Sequence, residues 1–77
     1  MQDALKQELT IGDVVSFIPA HERRLVFGVV KGFTKLKVEI AYDNYEEHGL
    51  TINTIKDFNI DDLATDQVFP KVVSKIS

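Results

Sequence analysis

Few residues in this 77-residue chain have types and spacings that could do chemistry, and most of them have a simpler role open to them. Asp57, Asn59 and Asp61 repeat the first three ligand positions of a calcium-binding loop. The pattern then fails, because the sixth position is Asp62 where a glycine must make the turn, and the twelfth is Val68 where a bidentate glutamate must close the site. Asn59 followed by Asp61 and Asp62 reads instead as an N-cap and the acidic first turn of a short helical segment. His21 and His48 are the only histidines, and neither stands at ligand spacing from the other. With no cysteine there is no thiolate nucleophile, disulfide framework or zinc-thiolate site. Glu46-Glu47 and Asp61-Asp62 are adjacent in sequence, the look of solvated acidic loops rather than of an acid and a base held apart across a cleft. Gly28-x-x-x-Gly32 lacks the following Lys-Ser/Thr that would make it a phosphate cradle. The expectation is a protein that is not an enzyme, with no metal and no cofactor of its own.

The remaining constellation is basic: His21, Arg23 and Arg24, followed by Lys31, Lys35 and Lys37. Read as a strip along a sheet, Arg23, Arg24, Lys31, Lys35 and Lys37 could contact phosphates. Lys35 and Lys37 also alternate with apolar residues, which is what a wet strand face protected against edge pairing would show. Tyr45 stands in a polar loop and is the aromatic expected at the surface, and Phe27 joins it if it falls on the outer side of its strand.

These residues must be positioned by strands. Leu25 to Tyr42 reads as a long hairpin whose second arm alternates Leu36, Val38, Ile40 and Tyr42 on one face with Lys35, Lys37, Glu39 and Ala41 on the other. Gly28 and Gly32 interrupt the first arm, as they do at a bulge or where two backbones approach closely. Before the hairpin, residues 1–10 read as an N-terminal helix or a flexible arm, Thr10 to Asp13 as a turn, and Asp13 to Ile18 as a strand. Leu50 to Ile55 resumes a strand pattern, Asn59 opens one helical turn, and Val68 to Ile76 is the last strand, with Pro70 confining its start to an edge. Val15, Phe17, Val30, Phe33, Val38 and Ile40 are the expected core, with Phe58 and Phe69 added to fill a small interior.

Ile-Gly-Asp-Val-Val-Ser-Phe at 11 to 17, Gly-Val-Val-Lys-Gly-Phe at 28 to 33 and Lys-Val-Glu-Ile at 37 to 40 resemble the opening of an SH3-like small barrel of the KOW or Tudor sort. The resemblance implies an all-β fold: a five-stranded barrel over residues 11–77, with one helical turn before the last strand. Compact chains of this style also resemble bacteriophage accessory proteins.

Size and charge narrow the function further. A single domain this short buries only a little over about 60% of its unfolded surface, which leaves no room for a separate catalytic unit. No apolar run reaches membrane-span length, and Met1 to Thr10 lacks the basic and apolar regions of a secretory signal, so a cytoplasmic location and no membrane partner are expected. The net charge of −3 favours a protein partner over a nucleic acid. The resulting expectation is a regulatory interaction module that uses Tyr45, His21, Arg23 and Arg24 on a protein. The alternative is a nucleic-acid-binding barrel using the basic strip.

Overall fold

The computed structural model describes residues 1–19, 23–43 and 54–76, and the description below refers to these. The chain is all-β: five antiparallel strands form one sheet in the order β4-β3-β2-β1-β5, and its only helical pieces are 3₁₀ turns. The strands are β1 (Val14–Phe17), β2 (Val26–Phe33), β3 (Val38–Tyr42), β4 (Ala64–Val68) and β5 (Ser74–Lys75). No helix among the described residues is long and apolar enough to cross a membrane.

The central hairpin forms as its alternation requires. Val38, Ile40 and Tyr42 of β3 meet Val30 of β2 and Val15 and Phe17 of β1 in the main core, where the Phe17 and Tyr42 rings pack edge to face with centroids 5.4 Å apart. Both glycines of β2 have the roles expected of them. A Cβ at Gly28 would come within 2.9 Å of the Ala41 carbonyl and would collide with the Ile40 side chain. At Gly32 the pairing with β3 slips, so that Val30 faces Ile40 while Gly32 faces Glu39, leaving Lys31 as the extra residue of a bulge. The turn before β1 is held by Asp13, whose carboxylate accepts from the Thr10 amide at 2.8 Å and the Thr10 hydroxyl at 2.9 Å. Gly12 takes a φ of 96° there, a left-handed conformation that disfavours any side chain.

Several elements differ from the expectation. The hairpin turn takes Lys35 and Leu36 out of β3, because the Thr34 amide donates to the Lys37 carbonyl at 2.8 Å and the Lys37 amide donates to the Thr34 hydroxyl at 3.0 Å. Leu36 therefore points into solvent instead of joining Val38. Ala41, expected on the wet face, is buried, because the segment carrying Ile55 and Ile60 folds over that face and builds a second small cluster with Val14 and Val29. Most of the strand expected at Leu50 to Ile55 lies outside the described residues, and Ile55 itself starts a 3₁₀ turn, Ile55–Asp57.

The next strand among the described residues is Ala64–Val68, which pairs along its whole length with β3. Thr65 and Val68 favour a strand but Ala64 and Asp66 do not, and pairing with a well-packed neighbour settles the mixed local preference. The capped turn at Asn59 forms as Ile60–Asp62, with the Asn59 side chain accepting from the Asp61 amide at 3.1 Å, but it precedes β4 rather than the last strand. The expected final strand is divided: Pro70–Val72 makes a 3₁₀ turn and only Ser74–Lys75 pairs with β1. Proline, with its fixed φ and no N–H, suits the first position of such a turn. Of the aromatic residues assigned to the core, Phe17 is buried, Phe58 is half-buried, and Phe33 and Phe69 are exposed at the end of the sheet.

Residues 1–10 form neither the helix nor the loose arm that their composition suggested. They make a tight loop in which Gln2 and Glu8 bridge, the Leu9 amide donates to the Met1 carbonyl at 2.8 Å, and Leu9 is buried in the main core. Burying a leucine offsets more free energy than a short solvated helix could gain from propensity.

Candidate interaction surfaces

The described surface carries two apolar and basic regions, one at each end of β2. At the first end, Phe17 faces Val26 and Ser16 faces Phe27. Continuing that register sets Ile18 beside Leu25, where the chain leaves the sheet. Phe27 lies on the outer face with Val29, because Val26, Gly28 and Val30 take the inner positions. Ile18 is 52%, Leu25 63% and Phe27 36% exposed, and Arg23 and Arg24 stand beside them at the entry to β2.

The second end is the tip of the β2–β3 hairpin. Phe33 pairs with Val38, and Val38 with Val68, so one row of the sheet brings Phe33 and the exit of β4 together. The next residue in that register is Phe69, opposite Lys37. The Lys37 Nζ stands 5.0 Å from the centre of the Phe69 ring, and the Lys71 Nζ approaches the same ring at 5.8 Å. The 3₁₀ turn at Pro70 is what carries Lys71 back over Phe69.

The basic residues singled out in sequence are thus divided. Arg23 and Arg24 lie at one end, while Lys35 and Lys37 lie at the other, and Lys31, seven residues on from Arg24, is already about 23 Å along an extended chain. Lys31 reaches across the outer face, its Nζ 3.5 Å from the Thr65 hydroxyl. His21 and Tyr45 lie outside the described residues. Sequence reading missed Ile18, Leu25, Leu36 and Lys71, and it gave Phe69 to the core. The one signal for Phe69 was the proline that follows it, since a proline cannot donate to the sheet ladder and so marks the end of the strand at Phe69.

Two carboxylates have shifted acidities, and both serve structure. Asp3 is buried, which by itself would raise its pKa. The amides of Lys75, Gln7 and Leu5 donate to it at 2.7, 2.8 and 2.9 Å, and together with the Lys75 charge they outweigh burial and hold the carboxyl below its ordinary value. Asp13 behaves alike: burial opposes ionisation, but the Thr10 amide and hydroxyl and the Lys75 ammonium, 3.4 Å away, lower its pKa. Among the described residues no three His, Asp or Glu side chains are grouped to hold a metal ion.

Fold and surface together define a small all-β domain that exposes apolar side chains beside basic ones at both ends of one hairpin. The chain belongs to the DUF7205 family, a domain of unknown function, whose pattern matches residues 1–60. The matched stretch takes in the N-terminal loop, the first three strands and the turn at Ile55. No curated protein and no solved structure matches the chain.

Proposed function

We propose that this protein is a non-catalytic, regulatory interaction module that binds a protein partner, built on a small barrel of the SH3-like kind. The strand order β4-β3-β2-β1-β5, with a 3₁₀ turn before the last strand, supports the barrel reading. The observation that carries the function is the apolar group Ile18, Leu25 and Phe27, exposed together beside Arg23 and Arg24. Contiguous exposed apolar side chains with a basic rim are what protein recognition uses, since the apolar centre supplies the energy and the rim the register.

A nucleic-acid-binding barrel has less support. Its strip needs Arg23, Arg24, Lys31, Lys35 and Lys37 on one continuous track, and β2 separates the arginines from the tip lysines by most of its length. The two readings differ in salt dependence, because phosphate contacts release counterions and lose affinity steeply as salt rises. The test is retention of cell-lysate components on the immobilised protein, with and without nuclease and at two salt concentrations. Retention of a protein that survives nuclease and is lost with Leu25→Ser and Phe27→Ser supports the module. Retention of nucleic acid, lost when the lysines and arginines are reversed in charge, replaces it with the alternative.

A further inference from the structure

The hairpin tip lies at the opposite end of β2 from Leu25 and Phe27. Two ammonium groups, Lys37 and Lys71, share the face of one half-exposed ring, Phe69. Neither they nor Lys35 has a carboxylate partner among the described residues. A ring face attracts a cation, but an exposed contact of this kind is weak and leaves the positive charge uncancelled. Leu36, at 68% exposure, precedes Lys37 in the hairpin turn, whereas Phe33, at 38%, stands opposite Val38 in the inner-face row. Among the described acids, Asp43 follows β3 and Asp62 precedes β4, both at the far end of those strands, while of the nearer ones Glu39 accepts from the Gln67 side-chain amide at 3.4 Å and Asp66 from the Gln67 backbone amide at 3.0 Å. A cationic, apolar tip on an acidic protein is complementary to a ligand that is both anionic and apolar.

We propose that the tip formed by Lys35, Leu36, Lys37, Phe69 and Lys71 docks an acidic segment of a partner protein in which carboxylates alternate with large apolar side chains. The carboxylates pair with Lys37 and Lys71, which the Phe69 ring holds in place before binding, and the apolar side chains cover Leu36 and the exposed part of the Phe69 ring. Pre-placed lysines lose less rotamer freedom on binding than free ones do. A polynucleotide fits less well. Its evenly spaced phosphates need a long positive track, whereas here the charge is concentrated at one ring and the arginines lie at the other end of β2.

The test uses the full chain and a short fluorescent peptide of glutamates interspersed with leucines, followed by fluorescence anisotropy and by amide chemical shifts. The expected result is saturable binding that shifts the amides around Lys37, Phe69 and Lys71. It should weaken by about tenfold or more when Lys37→Glu and Lys71→Glu are combined, survive Lys37→Arg with Lys71→Arg, and be unmoved by Leu25→Ser with Phe27→Ser. Retained amide dispersion shows that each variant is folded. Four outcomes overturn the proposal: no binding, shifts confined to other parts of the chain, tighter binding of a thymidine oligonucleotide than of the peptide, or self-association of the chain through the tip. None of these decides the reading based on Leu25 and Phe27, whose own variants are scored separately.

Discussion

The Asp3 carboxylate accepts the backbone N–H of Lys75 at 2.7 Å across 72 residues of sequence. Its other oxygen holds the Leu5 and Gln7 amides, and the Ala4 amide donates to the Val73 carbonyl at 2.8 Å. One buried acid thus fastens the N-terminal loop onto the last strand of the sheet, whose two residues alone would be a weak edge. The loop covers that edge, and so blunts a row of backbone groups that would otherwise be open to pairing with another chain.

Asp3→Ala should therefore destabilise the protein by about 1–3 kcal/mol, because three amides lose a charged acceptor in a place partly closed to water. Glu8→Ala removes only the exposed contact to the Met1 ammonium and should cost under about 1 kcal/mol. Urea unfolding of the two variants checks the difference. Equal effects would mean that the loop is not fastened by Asp3.

The same carboxylate sets part of the pH dependence. Asp3 and Asp13 have native pKa values below their unfolded ones, so the unfolded chain binds more protons in acid. Their stabilisation is complete above the ordinary carboxylate range and is lost as the pH falls through the lowered native values. The urea midpoint should fall below about pH 4 for the native protein and fall less steeply for Asp3→Asn. Identical slopes would remove Asp3 from the account.

Gly28→Ala should cost about 1–3 kcal/mol, since the new methyl group meets Ile40 and the Ala41 carbonyl in an interior with no slack. Gly32→Ala should cost less, because its nearest neighbour is the Glu39 carboxylate, 3.5 Å away at the end of a flexible side chain. Thermal denaturation of both variants tests the order.

Among apolar truncations, Val38→Ala and Leu9→Ala should each destabilise by at least about 1 kcal/mol, and Leu9→Ala by the larger amount, because both residues are buried in the main core. Phe33→Ala should change stability by little, although it is the bulkiest of the three, because it stands at the open end of its row. A large loss at Phe33 would mean that the tip is closed in solution, and would also weaken the case for it as a docking surface.

The hairpin was legible because its cause is local. Alternation in Val38, Ile40 and Tyr42 and the interruptions at Gly28 and Gly32 are properties of neighbouring residues, and pleating turns them directly into two faces and a bulge. The Thr10 to Asp13 turn and the Asn59 cap were legible for the same reason, since a short polar side chain bonds a backbone group two or three residues away. The placing of β4 and β5 was not, because Ala64 to Val68 has a mixed local preference and becomes a strand by pairing with β3, while Pro70 cuts in two a run that reads as continuous. Nor could sequence show that Phe33 and Phe69 emerge at the tip, since an aromatic side chain obeys the same alternation whether its row ends in the core or one position beyond it. The N-terminal loop is the clearest case: its residues favour a helix, and only the distant Lys75 amide and the place for Leu9 in the core decide otherwise. Sequence by itself determined where the chain alternates and turns. Tertiary structure decided which strands meet and which side chains are left at the ends of the sheet, because pairing and burial are energies between residues far apart in the chain.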